Sequence, residues 1–190
     1  MTSAGISDLL EALGEVFLHP GADGQPSIGA VLECDWPSPA LRSALLEMQG
    51  HRDPGLEVTY AGLFLVGAEG RPHPLEVSVL EGLRLRHPQS IDRVARVFAA
   101  AGVLPEATVS MDHLGAMSAL LGFLLRRLWD PEDPDSPRLE QAARDLLRQD
   151  LLPLASHLDA ALGDNPSHPF YRAAARALRL ALERLEPVFP

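Results

Sequence analysis

Asp112 and His113 stand side by side in the stretch VSMDHL, Val109 to Leu114, which opens the most apolar run of the chain. A carboxylate beside an imidazole can serve as base and orienter, supply metal ligands, cap a helix, or offer hydrogen bonds to a partner. Each catalytic use needs company. An acid–base pair requires a third group, such as an oxyanion donor or a metal, and the sequence shows none beside it. Divalent metals need three or four converging ligands, yet no two of the seven His residues sit at i, i+4 on a helix with a nearby carboxylate. His19, His73, His87 and His168 each adjoin a Pro, which reads as loop. There is no Gly-x-Ser-x-Gly turn and no Gly-Lys-Ser/Thr phosphate loop, and Cys34 has no local base. No metal, cofactor or catalytic residue is therefore assigned. Two readings stay open for the pair. Ser110 or Asp112 is the expected N-cap of the helix that follows, which leaves His113 unexplained. An imidazole in the first turn of a helix faces the positive dipole end, which favours its neutral form and leaves one donor and one acceptor for recognition.

The elements that must position this pair are helical throughout. Ile6, Leu9, Leu10, Leu13, Val16 and Phe17 recur at helical spacing, and His19-Pro20 is the expected stop. Gly21 to Pro37 is a Pro- and Gly-rich connection. Ser38-Pro39 then predicts an N-cap with Pro at the first helical position, followed by Leu41, Leu45 and Met48. Leu56, Tyr60, Leu63 and Phe64 form another stripe. Ser90 is the predicted cap of a helix that carries Ile91, Val94, Val97, Phe98 and Ala101 and stops at Gly102. Leu114 to Leu128 is apolar over so wide a face that it predicts a helix buried on several sides. Pro131 to Pro137 is a loop, Ser136-Pro137 starts a further helix, and Pro153 should kink or divide it. A last helix carries Phe170, Ala174, Leu178, Ala181 and Leu185. Leu56 to Thr59 and Leu75 to Val79 are too short to predict strands. The expectation is a single all-α domain over residues 1–190, a bundle of about eight to nine helices.

Composition narrows the partners. Of 190 residues 46% are hydrophobic and 22% charged, the balance of a globular chain. Net charge is −10, and all 16 cations are Arg, scattered among 26 acids, so no phosphate-tracking surface for nucleic acid is visible. A single Cys excludes an internal disulfide. The opening Met1 to Gly5 lacks a basic, then apolar, export signal, and the run from Leu114 to Leu125 is too short to span a bilayer. The cytoplasm is the expected compartment, without membrane insertion.

Four stretches, in order, resemble the TorD/DmsD/NarJ family of cytoplasmic chaperones that mature molybdenum-containing redox enzymes. TYAGLFLVG (Thr59–Gly67) is similar to the family's Tyr-x-x-Leu-Phe-x-x-Gly, and PHPLEVSVL (Pro72–Leu80) to its Pro-rich loop leading into Glu-Ser-Val. VSMDHLGAM (Val109–Met117) is similar to its Pro-Asp-His-Leu signature, with Met111 where the family has Pro, and HPFYRAAARAL (His168–Leu178) resembles its closing Phe-Tyr helix. The resemblance implies an all-helical TorD-like bundle without catalytic turnover. It implies binding of a twin-arginine signal peptide, or of the apo catalytic subunit of a molybdenum-containing oxidoreductase, to assist cofactor insertion and proofreading. Such a peptide is basic and then apolar, so its receptor needs acids beside an apolar groove. Asp112, His113, Glu76, Leu75, Met111, Leu114, Ser78, Tyr60 and Phe64 are the candidate binding residues, with the methionines as adaptable lining. Two other classes stay open: a small helical enzyme using Asp112 and His113 as an acid/base pair, and a helical scaffold or regulator. Homodimerisation by helix exchange around Pro131–Pro137 is also left open by the sequence.

Overall fold

In the computed structural model, which describes residues 3–18, 32, 38–65, 73–81, 88–105, 108–130, 132–133, 136–163 and 168–189, the apolar stripes are helices. They run α1 (Ser3–Leu18), α2 (Pro39–Gly50), α3 (Leu56–Tyr60), α4 (Pro88–Ala101), α5 (Leu114–Leu128), α6 (Ser136–Asp145), α7 (Leu152–Gly163) and α8 (Pro169–Leu185). Shorter pieces join them: a π-helical turn at Ala61–Leu65, 3-10 turns at Val77–Glu81 and Glu186–Val188, and a π stretch at Leu146–Leu151. The described residues contain no strand, only an isolated antiparallel bridge between Glu76 and His113. The expected His19-Pro20 stop, Cys34, and all of the Gly21–Pro37 connection except Leu32 lie outside the described residues, as does part of the Pro131–Pro137 loop.

Local chemistry sets most of the boundaries. Ser38 Oγ accepts from the Leu41 amide at 3.2 Å, with Pro39 in the first turn of α2, as the sequence predicts. Gly102 ends α4 with φ +72°, a left-handed conformation that glycine adopts without penalty. One expectation is corrected. Ser90 is not the cap of α4, because the helix begins at Pro88, whose fixed φ already suits the first turn; Ser90 is buried inside it. At Pro153 the regular helix is interrupted as expected: a π stretch, Leu146–Leu151, separates α6 from α7, and Pro153 falls in the first turn of α7, where its missing amide is least costly.

The core is one contiguous apolar cluster with α5 at its centre. Ten α5 residues are buried, from Leu114 to Leu125, and α1, α4, α6 and the π stretch all pack on it. The tightest of these contacts is with α1. A Cβ built on Gly115 would meet the Gly14 carbonyl oxygen at 2.6 Å, and one on Gly14 the Gly115 oxygen at 2.7 Å. One turn pair further along, a Cβ on Gly122 would come 2.8 Å from the Ser7 oxygen. These are backbone atoms, so no side-chain rotation can relieve the clash. Where α1 and α5 diverge, Arg126 reaches back to Asp8 and Glu11. At the far side α8 carries ten buried residues, from Phe170 to Leu185, and packs on α2 and α7.

Overpacking of this kind costs about 1–3 kcal/mol. Gly14→Ala and Gly115→Ala are each expected to lower the unfolding free energy by that amount, read as a lower urea midpoint. Gly62→Ala, where nothing lies within 4 Å of the added carbon, is expected to leave it unchanged or raised. Equal midpoints for all three variants would contradict the packing described. Truncation after Gly163 removes α8 and should abolish cooperative melting.

Candidate functional site

The polar residues singled out in the sequence meet where two turns face each other at the N-terminus of α5. One turn is closed by the Glu76 amide donating to the His73 carbonyl (2.9 Å), the other by the His113 amide donating to Ser110 (3.1 Å). The Leu114 amide donates to the Leu75 carbonyl at 2.7 Å and the Val77 amide to Asp112 at 3.3 Å, which makes the bridge. Leu75, Glu76, Asp112, His113 and Leu114 are thus brought together, all of them buried, with Met111 partly buried beside them. Ser78 lies on the 3-10 turn that follows; its side chain is outside the described residues. Tyr60 and Phe64 go elsewhere. They pack with Phe17 and Tyr171 in an aromatic cluster, where the Tyr60 hydroxyl donates to the Phe17 carbonyl at 3.0 Å.

The cap of α5 is His113 itself, which corrects the expectation of Ser110 or Asp112. Its Nδ1 accepts from the Gly115 amide at 3.1 Å. That bond needs an unprotonated Nδ1, so the neutral ring carries its proton on Nε2. Burial lowers the His113 pKa to about 4, and the neighbouring His73 ring, centred 5.7 Å away, adds repulsion against a charged form. His73 repeats the device in its own turn, Nδ1 accepting from the Leu75 amide at 3.2 Å.

Asp112 is 0% exposed. One oxygen takes a short hydrogen bond from Ser110 Oγ, and Oδ2 has no partner. Neither oxygen is bonded to His113, so the two residues do not form a base–orienter pair. A second buried carboxylate, Asp150, lies near enough to feel the Asp112 charge. Burial raises the Asp150 pKa, against the opposing pull of Arg93, whose Nε donates to both carboxylate oxygens at 3.1 Å. No local pattern points to this ion pair, because its partners are 57 positions apart. Among the described residues no group of three or more His, Cys, Asp or Glu could hold a metal ion.

Beside this buried knot the surface opens into an apolar cleft of about 300 Å³. Its walls are the C-terminal half of α1, the end of α4, Val103 to Pro105 with Val109, and one face of α5. Phe98, Leu104, Val109, Leu120 and Phe123 line it, and Glu15 stands at its edge. Leu104 is 83% exposed at the cleft, where it adds to the apolar surface of the other lining residues. Sequence reasoning missed this cleft. Its apolar residues come from three separated segments, and only Phe98 and Leu120 belong to stripes read as core.

The acid side of the stability curve reports on His113. In the unfolded chain it protonates near 6.5, whereas in the folded protein it protonates near 4. Neutral His113 therefore contributes stability that is complete above pH 6.5 and is lost as pH falls toward 4, at most roughly 3 kcal/mol. His113→Asn keeps a capping oxygen but cannot titrate. Urea midpoints measured between pH 7 and 4 should fall less steeply for His113→Asn than for wild type, and parallel curves would contradict the buried neutral cap.

No curated protein and no solved structure matches the chain. The family described as nitrate reductase delta subunit does match, over residues 33–159, a span that includes the two facing turns, α4 and α5. That span is well over half of the chain. No described helix is long and apolar enough to cross a membrane. With the α-helical bundle and the paired turns at its Asp-His signature, this match places the chain in the nitrate reductase delta subunit family, the NarJ/TorD-type chaperones that mature molybdoenzymes.

Proposed function

We propose that this chaperone acts in the cytoplasm by binding a basic-then-apolar segment of its client. That segment is the twin-arginine signal peptide of a molybdenum-containing oxidoreductase, or the equivalent stretch of its apo catalytic subunit, held until the cofactor is in place. The observation that carries this reading is the apolar cleft with an acid at its edge. A peptide's apolar centre buries against Leu104, Val109, Leu120 and Phe123, and Glu15 meets its arginines. Carboxylate–guanidinium contacts can be two-pointed, which Lys cannot reproduce. The residues chosen from the sequence act from beneath this surface. Glu76, Asp112 and His113, with Leu75 and Leu114, fix the start of the helix that forms the cleft wall, and Met111 flanks its approach. Tyr60 and Phe64 hold α1, the opposite wall, through Phe17.

An enzyme built on Asp112 and His113 is not favoured. Asp112 is sealed from substrate and His113 spends its acceptor nitrogen on the helix cap.

Leu104→Glu places a charge in the cleft at an exposed position, so the fold should survive it. Titration with a labelled twin-arginine peptide is expected to show about tenfold weaker binding or worse, the scale of losing one buried Leu. Glu15→Gln should instead shrink the preference for Arg-Arg over a Lys-Lys version of the peptide. Unchanged affinities in both variants would remove the cleft from the reading.

A further inference from the structure

A second concavity, about 440 Å³, lies between α4 and α6. It is chemically the opposite of the first. Arg93, Arg96 and Arg138 line it in a protein whose net charge is −10. Among the described residues, several arginines elsewhere are engaged: Arg126 by Asp8 and Glu11, Arg127 by Asp133, Arg172 and Arg176 by Glu47, Arg179 by Asp159 and Glu183. Arg96 and Arg138 are exposed and have no ion pair with the described residues. Two cations outside any ion pair with the described residues, on one cleft of an acid-rich chain, call for an anionic occupant.

We propose that this cleft is a binding site for an acidic segment of a partner polypeptide, whose Asp or Glu carboxylates seat on Arg96 and Arg138. Three features favour a polypeptide over a phosphate compound. Arg93 is already balanced by Asp150, and Asp145 also lines the cleft, so Arg96 and Arg138 against Asp145 leave one net positive charge. That suits one or two carboxylates and not a polyphosphate. Gln141 and Gln149 both donate their amide nitrogens to Asp145 Oδ1, at 3.0 and 3.1 Å. Their carbonyl oxygens are thereby the ends left to meet a ligand, and they accept backbone N–H groups, which a peptide has and a phosphate lacks. Val97 and Ala142 supply an apolar floor for the stems of the acidic side chains. Arg93, clamped in two-point contact with Asp150, gives the site a fixed wall.

The test uses the full chain and a short labelled peptide carrying two Glu at i, i+4, with a twin in which both are Gln. By fluorescence anisotropy in low salt, wild type should bind the Glu peptide and not its twin. The double variant Arg96→Glu/Arg138→Glu should weaken binding about tenfold or more, as loss of charge-assisted contacts predicts. Arg138→Gln should show part of that loss with an unchanged melting curve. Arg184→Glu, an exposed reversal on α8, should bind as wild type does. Equal binding of the two peptides, or double-variant affinity equal to that of Arg184→Glu, overturns the proposal. Displacement of the peptide by inorganic phosphate at constant ionic strength marks a phosphate pocket and overturns it as well.

Discussion

The backbone-to-backbone contact of α1 with α5 is the constraint on which the rest of the structure depends. Gly14 and Gly115 let each helix present a bare carbonyl to the other, and Gly122 does the same for Ser7. Ser118, in the middle of this stripe, keeps its hydroxyl on the Leu114 carbonyl at 2.7 Å and so brings no unpaired polar group to the interface. Two helices packed this closely leave little freedom of rotation or slide. With one face of α5 so fixed, Leu120, Leu121, Leu124 and Leu125 must point to the neighbours that cover them. The same fixing determines where α5 begins, and hence where the Asp-His signature sits.

That signature works as masonry in this fold. A helix start buried in a core leaves orphan amides that water cannot reach. His113 takes one with its ring nitrogen, and Leu75 takes another with its carbonyl. The arrangement explains why a segment 35 or more positions upstream is bound to α5: the turn of residues 73–76 supplies what the helix start lacks. Asp112 is the costly member, a buried carboxylate with one unpartnered oxygen near a second buried acid. Arg93 compensates Asp150, and through it ties α4 to the π stretch after α6. A charge so placed is poorly suited to touching a client. It is well suited to holding the start of α5 in place.

The sequence showed the helices clearly, because amphipathic stripes and terminal residues such as Ser38, Gly102 and Pro169 act over a few positions. The wide apolar face of Leu114–Leu128 correctly marked the central helix. What it obscured depends on tertiary context. Ser and Asp outrank His as helix caps in open solution, and only the tertiary bridge to residues 75–77, which sets where α5 begins, puts the imidazole in the capping position. The glycines of α1 and α5 could have been noticed as small residues seven apart, Ser7 with Gly14 and Gly115 with Gly122, but their meaning appears only when the two helices are paired. The candidate binding residues were grouped by motif, and the fold separates them: Tyr60 and Phe64 join the aromatic cluster, the remainder the knot under α5.

Two surfaces of opposite chemistry therefore flank α4. Phe98 faces the apolar, acid-edged cleft, and Arg93, Arg96 and Val97 face the arginine cleft. They are linked by rigid parts. Arg93 is held by Asp150, Asp150 senses Asp112, and Asp112 sits in the turn that begins the wall of the apolar cleft. If both clefts bind client segments as proposed, their place on either side of one helix makes recognition a matter of differential binding. Both features of the client must then be presented at the right separation, and a client that buries either one on maturing would lose the gain from simultaneous engagement.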